Sequence, residues 1–189
     1  LATARAVGAA VLVRIAQNRR IHTADGDLTR LFTYLEQRPA QDHHRQALPA
    51  RVRPGRADAD LSISWSPVQV LPPQPARAGQ HPIAAWAIRV WEPEPPPEQE
   101  PIAWNLLTTV PVVTAQDAWE RVRWYTRRWV IEDFHQVLKT GCAVEASQLR
   151  TADKLQRQVA LLLPVAVRLL QLRALARAHP DMPATDLLP

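Results

Sequence analysis

The sequence predicts a mixed α/β chain of α+β character, and three stretches predict it. From Thr114 to Gly141 a long amphipathic run holds no proline and no glycine before Gly141, so it reads as one helix. Between residues 39 and 101 proline is dense and short alternating runs appear, the pattern of antiparallel strands with one buried face. Near the start, Ala9 to Ile15 is apolar and partly β-branched without strict alternation. Such a run fits a strand buried on both faces of a mixed or parallel sheet.

Taken in order, Leu1 to Gly8 reads as the tail of a helix, and the strand over Ala9 to Ile15 ends in the basic turn Gln17-Asn18-Arg19-Arg20. Asp25-Gly26-Asp27 is a turn. Leu28, Leu31, Phe32 and Leu35 follow helical spacing in a short amphipathic segment ending before Pro39. Strands are expected at Leu61–Trp65, Val68–Val70 and Trp86–Val90, separated by Pro-rich loops at Leu71–Pro75 and Glu92–Pro101. Ile102 to Val110 reads as a strand returning to the core sheet. In the long helix, Thr114 is the expected N-cap with Asp117 three residues on, and Gly141 stands where a C-cap glycine belongs. At about 100° per residue, Trp119, Val130, Phe134, Val137 and Leu138 share one side of it. A further helix is expected over Leu155 to Arg177, interrupted at Pro164, with a basic edge from Arg150, Lys154 and Arg157 and a packing face that includes Leu161, Val165 and Leu169.

Composition narrows the function. The net charge is +5 over 189 residues, which favours polyanionic partners over acidic surfaces. All but two of the 23 basic residues are Arg, the exceptions being Lys139 and Lys154. A single cysteine, Cys142, excludes an internal disulfide framework and fits a reducing compartment. The opening residues lack signal-peptide order, and the apolar run Val159 to Val167 is short of a membrane span, so a soluble chain is expected. His43-His44 has no ligand-spaced His or Cys partner and reads as loop.

The chemistry gathers on the long helix. Tyr125, Arg128, Glu132 and Lys139 share a stripe within roughly 60°, opposite the apolar side. A carboxylate among cations suits a metal ligand beside a phosphodiester, with Arg and Lys on phosphate oxygens. The plainer alternative is a solvated face with Arg128–Glu132 as an i,i+4 pair. The spacing Tyr-x2-Arg-x3-Glu-x6-Lys, with Trp129 after the Arg and Thr140-Gly141 after the Lys, resembles the C-terminal signature of bacterial insertion-sequence DDE transposases. The resemblance covers roughly residues 9 to 173 and is most specific over 104 to 141.

That resemblance implies a partial ribonuclease-H-like core with a β-rich insertion and C-terminal helices. The implied division is 1–38 as core fragment, 39–101 as insertion, and 102–189 as final core strand, signature helix and terminal helices. It implies cut-and-paste transposition on double-stranded DNA at transposon ends, by a homodimer in the synaptic complex, in the bacterial cytoplasm at the nucleoid. Three carboxylates, Asp, Asp and Glu, would hold two Mg²⁺ or Mn²⁺ ions. Glu132 matches the third of these as catalytic metal ligand. Tyr125, Arg128 and Lys139 match phosphate clamps, and Trp104 matches a residue that stacks on a base drawn out of the duplex. Arg14, Arg19 and Arg20, at the end of the first strand, are implied phosphate contacts. The pattern places both Asp residues before Leu1, and Asp25, Asp27 and Asp133 match neither. The chain is therefore expected to be a C-terminal fragment, catalytically incomplete alone. A DNA-binding or oligomerising remnant without enzymatic activity is the alternative, and an unrelated basic scaffold is a third. In the resembling geometry Glu132 faces a cleft, Phe134, Val137 and Leu138 face the core, and strand 11–15 shares a sheet with 106–109 while 39–101 projects away.

Overall fold

Among the described residues, seven strands join into one curled antiparallel sheet, the frame of the first of two units. The computed structural model describes residues 8–47, 58–75, 79–179, 181 and 183, and the units are Leu1–Thr126 and Arg127–Pro189. The expected helical tail at 1–7 lies outside the described residues. The strands are β1 (Leu12–Arg14), β2 (Arg20–His22), β3 (Leu28–Arg30), β4 (Asp42–Ala47), β5 (Asp58–Val70), β6 (Ile83–Trp91) and β7 (Ala103–Thr108). Their order is β1-β7-β6-β5-β2-β3, with β4 also paired to β5.

β5 is the spine. Alternation along it sends Ala59, Leu61 and Ile63 into one apolar cluster and Val68 and Val70 into another, on opposite faces. Its neighbour β6 pairs from Ser62↔Trp91 to Val70↔Ile83. Pro67 is tolerated mid-strand for a local reason. The Trp65 and Leu71 N–H groups point to the side where β4 and β2 lie, reaching Gln41 Oε1 and the Arg20 carbonyl. Pro67 shares their parity, so its missing N–H falls in the gap between β4, whose pairing stops at Ile63, and β2, whose pairing starts at Gln69.

Each face is roofed by one helix. Helix α1 (Leu31–Gln37) lays the fully buried Leu31 and Leu35 on Val68, Val70, Ala85, Ala87 and Leu107. Burying each leucine contributes about 1.5–3 kcal/mol relative to exposure. The Arg89 guanidinium reaches the Leu35 and Glu36 carbonyls at 3.4 and 3.3 Å, where a cation complements the helix C-terminus. Helix α2 (Ala115–Arg127) buries Ala118, Trp119, Val122 and Tyr125 on the other face, against Leu61, Ile63, Ile88, Val90, Trp104 and Leu106. Its start is the expected capping box: the Thr114 hydroxyl accepts from the Asp117 N–H (3.2 Å), and Asp117 Oδ2 accepts from the Thr114 N–H (2.9 Å).

Several expectations are corrected. β1 does share the sheet with β7, in the register Leu12↔Thr108 to Arg14↔Leu106, but it is an antiparallel edge strand with Val13 and Arg14 exposed, not one buried on both faces. The stretch expected to project as a 39–101 insertion supplies β4, β5 and β6, and β5 and β6 stand inside the sheet between β7 and β2. The division at 38 and 101 therefore cuts through hydrogen-bonded neighbours, and the observed boundary falls between Thr126 and Arg127 instead. Leu28 belongs to β3 and is exposed, so α1 begins only at Leu31.

The second unit carries α3 (Trp129–Gln136), a π turn (Val137–Gly141), a 3₁₀ turn (Val144–Ala146) and α4 (Ala152–Ala178). The single helix expected from Thr114 to Gly141 is thus broken at Arg128 and loosened into a π turn at its end. The left-handed residue that reverses the chain is Ala143 (φ 49°), not Gly141. Helix α4 continues through Pro164 for 27 residues, and of its side chains only Ala166 is buried. Leu162, Leu170 and Leu172 are half-buried, whereas Leu161, Val165 and Leu169, expected to pack, are exposed. An 18-residue window of α4 has mean hydropathy 1.8, so by length and composition this helix could cross a membrane, which the run 159–167 did not suggest.

Candidate functional site

The stripe expected on one helix is divided by the break at Arg128. Tyr125 is on α2 in the first unit and is buried, whereas Arg128, Glu132 and Lys139 belong to the second unit and are solvent-accessible. Uniform 3.6-residue periodicity groups these four. A helix break and a π turn, which adds a residue to its turn, change that register.

Within the second unit, Arg128 Nη1 donates to Glu132 Oε1 across one helical turn, and the Arg128 guanidinium lies 4.7 Å from the centre of the Trp129 ring. The plainer expectation, an i,i+4 pair, is therefore formed. Glu132 keeps 37% of its side-chain surface exposed, so it is not in an apolar core. Phe134, Val137 and Leu138 are half-buried and Val130 is exposed. Lys139, inside the π turn, bonds Glu145 Oε1 at 2.8 Å, and this partner raises its pKa above the ordinary lysine value. Lys139 thus stays charged, turned to a carboxylate that the spacing did not single out.

In the first unit, Trp104 of β7 is 6% exposed and meets Tyr125 edge-on, with ring centroids 5.3 Å apart. Both rings belong to the cluster between sheet and α2. Neither offers the open face that base stacking or a phosphate clamp requires, because alternation along β7 and the α2 register turn both inward. Arg14 is exposed on the edge strand, its Nη2 3.5 Å from the Ala103 carbonyl. Arg19 and Arg20 are half-buried in the crossing from β1 to β2.

Other charged groups serve the fold. Asp42 Oδ2 accepts from the Trp119 indole N–H at 2.8 Å, which with the His43 N–H holds the Asp42 carboxyl below the usual range. His43 Nδ1 pairs with Ser62 Oγ and His44 leans on Trp119, and the pair, expected in a loop, stands in strand β4 beside β5 because the ladder there continues through both residues. Among the described residues, no three His, Cys, Asp or Glu side chains gather to hold a metal ion.

Residues 5–167 match the family model described as the transposase DDE domain. The mixed α/β architecture, with its curled antiparallel sheet and C-terminal helix, is consistent with part of a ribonuclease-H-like transposase domain. The match runs from before β1 into α4 and takes in both units, and on it the chain belongs to the transposase DDE domain family.

Proposed function

We propose that this chain is the C-terminal portion of a cut-and-paste insertion-sequence transposase, working as a homodimer on transposon-end DNA in the bacterial cytoplasm. The observation that carries the reading is a solvent-accessible carboxylate, Glu132, with the Arg128 guanidinium against it and Lys139 exposed on the same unit. Arg128 presents planar paired donors suited to phosphate oxygens, and Lys139 presents a point charge. Arg14 adds an exposed cation on the first unit. Trp104 and Tyr125 lie beneath the surface, packing α2 onto the sheet of the first unit.

The family generally uses divalent metal ions, here proposed as Mg²⁺ or Mn²⁺, which supply charge stabilisation at the transferring phosphoryl group. A two-metal centre needs several carboxylates, and the described residues gather no such set. The donor set among the described residues does not fit a complete centre, so Glu132 is proposed as one ligand of a site whose other carboxylates are not gathered among them. In the alternative, an inactive DNA-binding or oligomerising remnant, Glu132 serves as the partner of Arg128 and not as a metal ligand.

The test is the salt dependence of duplex binding by the purified chain. Replacing Arg128 and Lys139 with Gln should lower the slope of log K against log salt by about 1.8, from roughly 0.9 per phosphate contact. An unchanged slope in a folded variant would make this face ordinary solvated surface.

A further inference from the structure

Two exposed features of the first unit are complementary in charge and chemistry. The first is Trp124 on α2, a large aromatic ring with 41% of its surface exposed. The Arg121 guanidinium lies 4.0 Å from the centre of that ring. Arg121 is itself buried, pairs with Glu120 and donates to the Pro111 carbonyl at 3.3 Å. The indole is therefore held against a fixed group before any partner arrives. Val113, 69% exposed, is tied to the start of the same helix through Asp117 Oδ2. A flat, ordered tryptophan buries much surface at small entropic cost, which is why such side chains anchor interfaces. Arg123, the next residue back along α2, is exposed and pairs with no carboxylate among the described residues.

The second feature is the connection from β6 to β7, residues 92–101, where glutamate and proline make up nine of the ten positions. The Glu92 N–H donates to the Ile102 carbonyl at its base (2.9 Å), and the Gln99 N–H donates to the Pro96 carbonyl at its tip (3.1 Å). Each proline fixes φ near −65°, so the connection is stiff and loses little freedom on docking. Pro95 and Pro97 are exposed. Glu94 and Glu98 are exposed as well, and among the described residues neither forms an ion pair. On a chain of net charge +5 this is an acidic island.

We propose that residues 92–101 of one copy dock on the Trp124 face of a second copy, proline rings on the indole and Glu94 and Glu98 toward Arg123. Proline-rich segments seat on aromatic side chains because their backbone is already ordered. Opposite charges then fix orientation and hasten encounter. A second copy is favoured over a foreign partner because the chain carries both halves of the contact. A two-fold pair satisfies the two contacts at once. This contact belongs to the free chain. It goes beyond the DNA-bound homodimer and draws on none of Arg128, Glu132 or Lys139.

The experiment is sedimentation velocity on the full chain without DNA, over a concentration series at low and high salt. The wild type should pass from monomer to dimer with rising concentration, and more readily at low salt. Trp124→Ala should weaken the dimer by about 30-fold, the loss of one anchoring side chain. Arg123→Glu alone, and Glu94→Lys with Glu98→Lys, should each weaken it too. Mixing those two charge variants should restore a mixed dimer, because both contacts again join opposite charges. A wild type that stays monomeric throughout would overturn the proposal. So would a dimer that none of the variants weakens, or charge variants that fail to pair when mixed while keeping wild-type circular dichroism. Duplex anisotropy on the same samples separates this from the Glu132 reading. If the dimer obeys the charge swap while the Arg128/Lys139 variant keeps its salt slope, the dimer contact stands and the Glu132 reading alone fails.

Discussion

Replacing Trp104 separates two roles for one aromatic ring. The resemblance implies stacking on an unstacked base, whereas the structure buries the ring against Tyr125 with 6% of its surface exposed. Removing a buried aromatic side chain costs about 3–5 kcal/mol through lost transfer energy and a residual cavity. The edge-on pair with Tyr125 accounts for roughly 0.5–1.5 kcal/mol beyond area burial. At roughly 4 °C per kcal/mol for a unit of this size, Trp104→Ala should lower the melting transition by about 12–20 °C. Trp104→Phe, which keeps a ring beside Tyr125, should lose much less. Differential scanning calorimetry gives the transition, and duplex anisotropy below it gives affinity. Folded Trp104→Ala should bind duplex as tightly as the wild type, because the ring is buried under α2. A variant that melts like the wild type yet loses DNA affinity would refute the core assignment.

Two further outcomes test other parts of the molecule. Supercoiled plasmid incubated with the purified chain and Mg²⁺ or Mn²⁺ should stay supercoiled, and nicking that disappears in Glu132→Gln would show a complete centre in this polypeptide. At the start of α2, the Asp117 carboxyl is held below its usual range by the Thr114 N–H, the Thr114 hydroxyl and the Val113 N–H. A depressed folded-state value means its stabilisation is full above the unfolded carboxylate pKa of about 3.9 and is lost as pH falls through the folded value. Urea midpoints should therefore drop more between pH 5 and pH 3 in the wild type than in Asp117→Asn, while Thr114→Ala should cost about 1 kcal/mol at neutral pH.

Features set by a few adjacent residues were readable without coordinates. The capping box at Thr114 and Asp117 formed as expected. So did the turn at Gly26, which adopts φ 91° while its N–H donates to the Thr23 carbonyl. The strands around Leu61 and Ile88 were also legible, although both faces are buried there, Ser62 and Ala87 as fully as Leu61 and Ile88, where alternation predicts one. Partnership was not. Alternation shows that a strand is half-buried without showing beside what, so β5 and β6 read as a separate insertion although they stand inside the sheet. Periodicity also extrapolates a uniform helix, and it carried Tyr125 onto one stripe with Glu132 across a break at Arg128. Arg30 stands opposite Arg20 only once the β2–β3 hairpin is closed, so the sequence carries no mark of that pairing.

The pairing of β1 with β7 also dictates an order of assembly. The Val11 N–H donates to Thr109 Oγ1, 98 positions along the chain. Closing so long a loop costs entropy before any contact rewards it, whereas β5 and β6 are joined by a short connection. The β5–β6 hairpin is thus positioned to form early and β1 to dock last. During synthesis β1 must wait without this partner until β7 has left the ribosome. A nascent chain halted before Ala103 would hold β1 without its partner and leave the outer edge of β6 bare. That edge is then a template for strands of other chains, so premature termination should produce aggregates rather than a smaller folded protein.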